Sequence, residues 1–133
     1  MGKIKVEIKK QKSVIAPEGI DVFQIDRITY DAKKNRVTVK SDMLNAGRQH
    51  VEGFNLDSDF RAGVLGDLLM AALNDPDLET YDETTLEEAE GCQFEAEIVH
   101  REWNGQTIAS FDYRSFEPVR SYYDFGDEVP ISD

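Results

Sequence analysis

Apolar and polar residues alternate through much of the first half of the chain. In residues 3–9, Ile4, Val6 and Ile8 share one side, and Lys3, Lys5, Glu7 and Lys9 share the other. A period of two predicts a half-buried strand, or an arm that becomes one on docking. Pro17-Glu18-Gly19 interrupts the pattern. A second run covers 21–30, and its alternation slips between Ile25 and Ile28, which predicts a β-bulge. Residues 31–35 (DAKKN) form a polar turn. In 36–43, Val37, Val39, Ser41 and Met43 fall on one face, and Arg36, Thr38, Lys40 and Asp42 on the other. After Asn45-Ala46-Gly47, residues 49–56 read as a third strand anchored by Val51 and Phe54.

The period then lengthens to about three and a half, the spacing of an amphipathic helix. Phe60, Val64, Leu65, Leu68, Leu69, Ala72 and Leu73 form an apolar stripe, and Asp57-Ser58-Asp59 supplies N-cap chemistry before it. Asn74-Asp75-Pro76 ends this helix, and an acidic loop follows. Thr84-Thr85-Leu86-Glu87-Glu88 holds two overlapping capping boxes, which predict a short helix closed by Gly91.

The clearest local signal is a hairpin over 93–116. Two alternating runs flank Trp103-Asn104-Gly105-Gln106, and Asn-Gly suits the two positive-φ positions of a type I′ turn. Pairing Trp103 with Gln106 puts Phe94, Ala96, Ile98 and His100 on one core face with Ala109, Phe111, Tyr113 and Ser115. The same register sets Glu97 against Asp112, a like-charge pair that it does not explain.

The predicted order is three strands, a helix and two strands, after an N-terminal strand or arm. It is the order of a mainly β, five-stranded antiparallel barrel of the oligonucleotide/oligosaccharide-binding (OB) type, with one helix between strands 3 and 4. A helix laid on a small antiparallel sheet would read the same way. The expected layout is a basic strand or arm over 1–16, an OB-like domain over 17–118 and a disordered acidic tail over 119–133.

Charge sharpens this layout. Residues 1–61 hold 12 of the 15 Lys and Arg but only 9 of the 27 Asp and Glu. The stretch 74–90 has eight carboxylates and no basic residue, and 121–133 has four more. A mildly basic body with acidic appendages suits either a polyanion-binding face or a chain kept soluble by its loops. No apolar run approaches the ~20 residues of a membrane span. The first ten residues lack the apolar core of a secretory leader, and the single cysteine, Cys92, fits a cytoplasmic setting.

Single-strand binding needs cations along phosphates and aromatic faces for bases. The cation candidates are Lys33, Lys34, Arg36, Lys40, Arg48 and Arg101, with Lys9, Lys10 and Lys12 as a basic arm. The stacking candidates are Trp103, Phe54 and Tyr30, with Phe54 better suited to the core and Tyr30 evenly balanced. Nothing points to catalysis, a metal or a cofactor. Gly63-x-x-Gly66 lacks the Lys-Ser/Thr of a phosphate loop, and the cluster Asp75, Asp77, Glu79, Asp82, Glu83 lacks calcium-loop spacing.

Two segments resemble a family of small phage-encoded proteins found among replication and recombination proteins. They are Pro17-Glu18-Gly19-x-x-x-Phe23-x-Ile25, and Gly91-x-x-Phe94-x-Ala96-x-Ile98 through Trp103-Asn104-Gly105. The resemblance covers most of 17–118 and implies an OB-like fold and single-stranded DNA binding. The tail is similar to the acidic tip of bacterial single-stranded DNA-binding proteins. Asp127, Glu128, Val129, Pro130 and Ile131 match that tip by type, preceded by Asp124 and Phe125, but Ser132-Asp133 continue past its usual end. This implies docking of replication or recombination proteins, or occupation of the protein's own basic groove. The alternative expectation is an acidic interaction module that mimics nucleic acid and binds no DNA. Either reading leaves a homo-oligomer open.

Overall fold

A computed structural model describes residues 15–119. The chain forms β1 (Gly19–Asp31), β2 (Arg36–Met43), β3 (Arg48–Asn55), α1 (Asp59–Leu73), α2 (Glu83–Ala89), β4 (Gln93–Trp103) and β5 (Gln106–Phe111). The strands make one antiparallel sheet in the order β3-β2-β1-β4-β5, curled into a half-barrel. The expected closed barrel with one helix needs correction. No backbone ladder joins β3 to β5, and two helices occupy the β3–β4 connection. α1 packs against both β3 and β4. Among the described residues, no helix is long and apolar enough to cross a membrane.

The bulge falls where the alternation slips. Ile25 pairs with Ser41 and Arg27 with Lys40, so Asp26 is the extra residue. It keeps Phe23 and Ile25 in the core and returns Ile28 to the same side. The hairpin also follows its turn chemistry. Asn104 (φ 52°) and Gly105 (φ 76°) make the turn, Trp103 pairs with Gln106, and Ile98 pairs with Phe111.

β5 stops earlier than the pattern suggests. Its run breaks after Phe111, and pairing resumes only at Glu117, opposite Glu95. The turn between them uses the polar groups that the simple register left unexplained. The Asp112 carboxylate accepts from the Arg114 amide (3.2 Å), and the Ser115 hydroxyl donates to the Asp112 carbonyl (2.8 Å) while accepting from the Glu97 amide (2.8 Å). His100 is exposed rather than in the core, and its Nε2 lies 2.7 Å from the Ala16 carbonyl. β1 begins after Pro17, which has no N–H to offer a ladder. The Glu18 carboxylate accepts the His100 amide there instead (2.8 Å).

The core is aromatic at its centre. The Phe23 and Phe94 rings stack at 5.2 Å, and Phe111 meets them edge-on at 5.1 and 5.7 Å. α1 adds Val64, Leu65, Leu68 and Leu69, and α2 adds Leu86 and Ala89. Phe60, placed in the apolar stripe by its spacing, is 59% exposed. It meets Tyr113 edge-on instead.

α2 starts differently from its predicted capping boxes. Asp82 is the N-cap, its carboxylate accepts from the Thr85 amide (3.0 Å), and the Thr85 hydroxyl accepts from the Asp82 amide (3.1 Å). The bonds to Thr85 hold the Asp82 carboxyl below its usual pKa. A depressed folded-state pKa gives stability that is present above the unfolded value and lost as pH falls through the folded one. α2 should therefore persist through mild acid and loosen only below the ordinary aspartate range. A carbon-13 titration of the Asp82 carboxyl should show its midpoint below the ordinary aspartate value. A midpoint at that value would contradict the capping assignment.

β3 corrects the sequence reading most. Val51 is 55% exposed, and the buried positions are His50, Glu52 and Phe54. Phe54 has the parity of Glu52, not of Val51, so burying its ring carries Glu52 inward. Glu52 then joins the two sheet edges. Its Oε1 accepts from the Phe111 amide of β5 (3.0 Å) and faces His50 Nε2 at 2.7 Å. Its Oε2 accepts from the Ser110 hydroxyl (3.0 Å) and from Arg61 Nη2 on α1 (3.2 Å). A side chain thus bridges the edges where a closed barrel would have a ladder.

Candidate nucleic-acid interface

The outer face of β1–β2–β3 gathers most of the predicted cations. The register aligns Arg27, Lys40 and Val51 in one row, Thr29, Thr38 and Gly53 in the next, and Asp31, Arg36 and Asn55 in the third. These positions point away from the buried Val37, Val39, Glu52 and Phe54. Thr29, Thr38 and Gly53 leave a low middle row between Arg27–Lys40 on one side and Arg36 on the other. The Arg36 guanidinium lies across Gly53, in the space that a Cβ would take.

Lys33 and Lys34 extend this face from the β1–β2 turn, and both are exposed. Asp31 shapes the turn by accepting their backbone amides at 3.0 and 3.3 Å. Asn35 closes it with φ 50°, accepting from the Tyr30 hydroxyl (2.9 Å) and donating to Asp57 (2.8 Å). Tyr30 is 39% exposed beside the turn, on the inward parity of β1. Two carboxylates temper the patch: Asp31, which pairs with Arg36 in the third row, and Asp26, whose carboxylate is 3.9 Å from Lys40 with both side chains nearly half exposed. Such a pair is weak.

Other candidates serve elsewhere. Arg48 Nη1 donates to the Ile15 carbonyl (2.8 Å), fastening the start of the domain. Arg101 Nη2 donates to the Phe111 carbonyl (3.2 Å), and its guanidinium lies 4.2 Å from the Tyr113 ring centroid. Phe54 is fully buried beneath the Arg61 guanidinium, so its ring offers no stacking face. Trp103 is 61% exposed at the β4–β5 turn, on the opposite wing of the sheet. The tail positions Asp124, Phe125, Asp127, Glu128, Val129, Pro130 and Ile131, and the arm Lys9, Lys10 and Lys12, lie outside the described residues.

No protein-family model matches the chain, and no curated protein matches it. The residues themselves must therefore carry the functional reading. Charge is distributed by segment. Residues 24–51 contain six basic and three acidic side chains, while 57–90, which carries both helices, contains eleven acidic ones and only Arg61 against them. The helical segment is thus strongly negative and the β1–β3 segment mildly positive.

Arg27 was the cation missed by sequence reasoning. Placing the bulge at Asp26 would have found it, because that turns Arg27 outward beside Lys40. The other missed group is the His50–Glu52–Ser110 set. Its residue types suit nucleophilic hydrolysis, but its geometry does not. Ser110 and His50 both bond to the carboxylate rather than to each other, and all three are buried. Among the described residues, no three His, Cys, Asp or Glu side chains gather as a metal site.

Proposed function

We propose that this protein binds single-stranded DNA without sequence preference, on the outer face of β1, β2 and β3. The observation that carries this reading is the placement of Arg27, Arg36 and Lys40 on one outward face, extended by Lys33 and Lys34. The strand order supports reading the fold as an OB barrel opened at the β3–β5 seam. Proteins of that type bind oligonucleotides on the strand 2–3 face and the flanking loops between strands 1–2 and 4–5. Here those places hold Arg36 and Lys40, Lys33 and Lys34, and Trp103.

None of the outward positions paired across these three strands is aromatic. Binding therefore depends on phosphate contacts more than on stacked bases, and should be sequence-tolerant and salt-sensitive. The protein would act in phage-type replication or recombination, with its acidic tail docking partner proteins or occupying the same face. Fluorescence anisotropy with labelled oligo(dT) tests this. With four to five phosphate contacts, log affinity should fall against log salt with a slope of about −3. Mixed-sequence single strands should bind equally well. No binding at low salt, by the full chain or by one ending at residue 119, would overturn the proposal.

A second reading is favoured by the helical segment, where eleven carboxylates stand against one arginine over 57–90. An acidic interaction module would use that surface to hold a basic protein. It predicts no oligo(dT) binding and salt-sensitive capture of a basic partner.

A further inference from the structure

The outer surface of β1 and β4 carries an apolar strip bordered by acid. Ile20 is 71% exposed and pairs with Glu97, and the partly buried Val22 pairs with Glu95. Leu44, 47% exposed, continues the strip through its amide bond to the Val22 carbonyl (2.9 Å). Glu117 pairs with Glu95 from the other side, and Glu95, Glu97, Glu117 and Ile20 line one shallow cavity of about 260 Å³.

This surface is incomplete in two ways. Like charges directly opposite on a sheet repel, and Glu95 and Glu117 are such a pair with Glu97 alongside. Among the described residues, none of Glu95, Glu97 and Glu117 has an ion-pair partner. Ile20 also exposes 71% of its surface, with none of the described residues covering it.

We propose that residues 3–12 of this same chain dock on that surface. Ile4, Val6 and Ile8 would cover Ile20, Val22 and Leu44, and the surrounding lysines would meet Glu95, Glu97 and Glu117. Residues 1–14 hold five lysines and one glutamate, with the apolar residues in strict alternation, so charge and shape both complement the strip. The attachment point is close. The Ile15 carbonyl is fastened by Arg48 and the Ala16 carbonyl by His100, so residue 15 lies five positions from Ile20. Five extended residues span about 17 Å, and the fourteen before Ile15 reach roughly 46 Å. The docking needs no nucleic acid, and a failure of DNA binding would leave it standing.

Trypsin cleavage after Lys9, Lys10 and Lys12 tests it, with a synthetic peptide of residues 1–16 as the unprotected reference. In the full chain at low salt, cleavage should be at least ~10-fold slower than in the peptide. The variant Glu95→Gln/Glu97→Gln/Glu117→Gln should bring the rate to within about 2-fold of the peptide's, as should 1 M salt, where the Debye length is ~3 Å. Ile20→Ser should do the same without changing charge. Both variants alter outward positions, and circular dichroism should show the wild-type spectrum. Wild-type cleavage at the peptide's rate would overturn the docking, and protection that survives both variants would overturn the site. Protection that rises with protein concentration would assign the occupant to a second copy and overturn docking within one chain.

Discussion

Glu52→Ala is expected to destabilise the fold by about 3 kcal/mol, near the low end for breaking a buried ion pair. The thermal midpoint should then fall by more than ~10 °C in a domain of this size. Glu52 is more than one member of a pair. Its carboxylate is 7% exposed and takes four contacts, from His50, Arg61, Ser110 and the Phe111 amide. Alanine would leave the buried Phe111 amide and Ser110 hydroxyl without this acceptor. It would leave the Arg61 guanidinium bonded to the Gly53 carbonyl (2.9 Å) with no carboxylate beside it. Those groups belong to β5 and α1, so the loss falls where the half-barrel is held together. Glu88→Ala, at an exposed position of α2, is the control and should change stability by less than about 0.5 kcal/mol. Thermal unfolding by circular dichroism reads both. A midpoint within about 3 °C of wild type for Glu52→Ala would show that the seam is held by something else.

The second large effect concerns binding. The combined variant Arg27→Glu/Arg36→Glu/Lys40→Glu should weaken oligo(dT) binding at least ~100-fold at low salt. Each reversal removes one attraction to phosphate and adds one repulsion, each worth about 1 kcal/mol at 4 Å in water, so roughly half the nominal sum suffices for that loss. All three side chains lie on the outer face, so the thermal midpoint should stay close to wild type. Reversing Arg48 and Arg101 instead should affect stability more than affinity. Arg48 fastens the Ile15 carbonyl, and Arg101 binds the Phe111 carbonyl and covers Tyr113. Equal losses of affinity from the two sets would contradict the assignment of the interface to β1–β3.

Local chemistry made several of these elements readable. Asn104-Gly105 dictated the hairpin register because only certain residues tolerate positive φ at both positions. The slip between Ile25 and Ile28 revealed the bulge because a strand facing one core must recover its parity. Glu52 was hidden because its partners Ser110 and Phe111 are 58 and 59 residues away. Only the curl of the sheet brings the two edges together. Hydrophobicity favoured Val51 over Glu52, but bonding to four donors makes a glutamate tolerable inside and leaves the valine out. The cations were visible as residue types in a turn and a strand. Whether each was free could not be read from type, since Arg48 and Arg101 look like Arg36 until their carbonyl partners are known. Phe54 shows the same ambiguity, resolved toward the core by full burial.

The most direct measurement is an amide chemical-shift map of the full chain titrated with oligo(dT) at low salt. The account predicts the largest shifts at Arg27, Thr29, Lys33, Lys34, Arg36, Thr38, Lys40 and Gly53, with α1 and α2 nearly silent. Shifts concentrated on the helices or scattered without a focus, or no shifts at all, would contradict it.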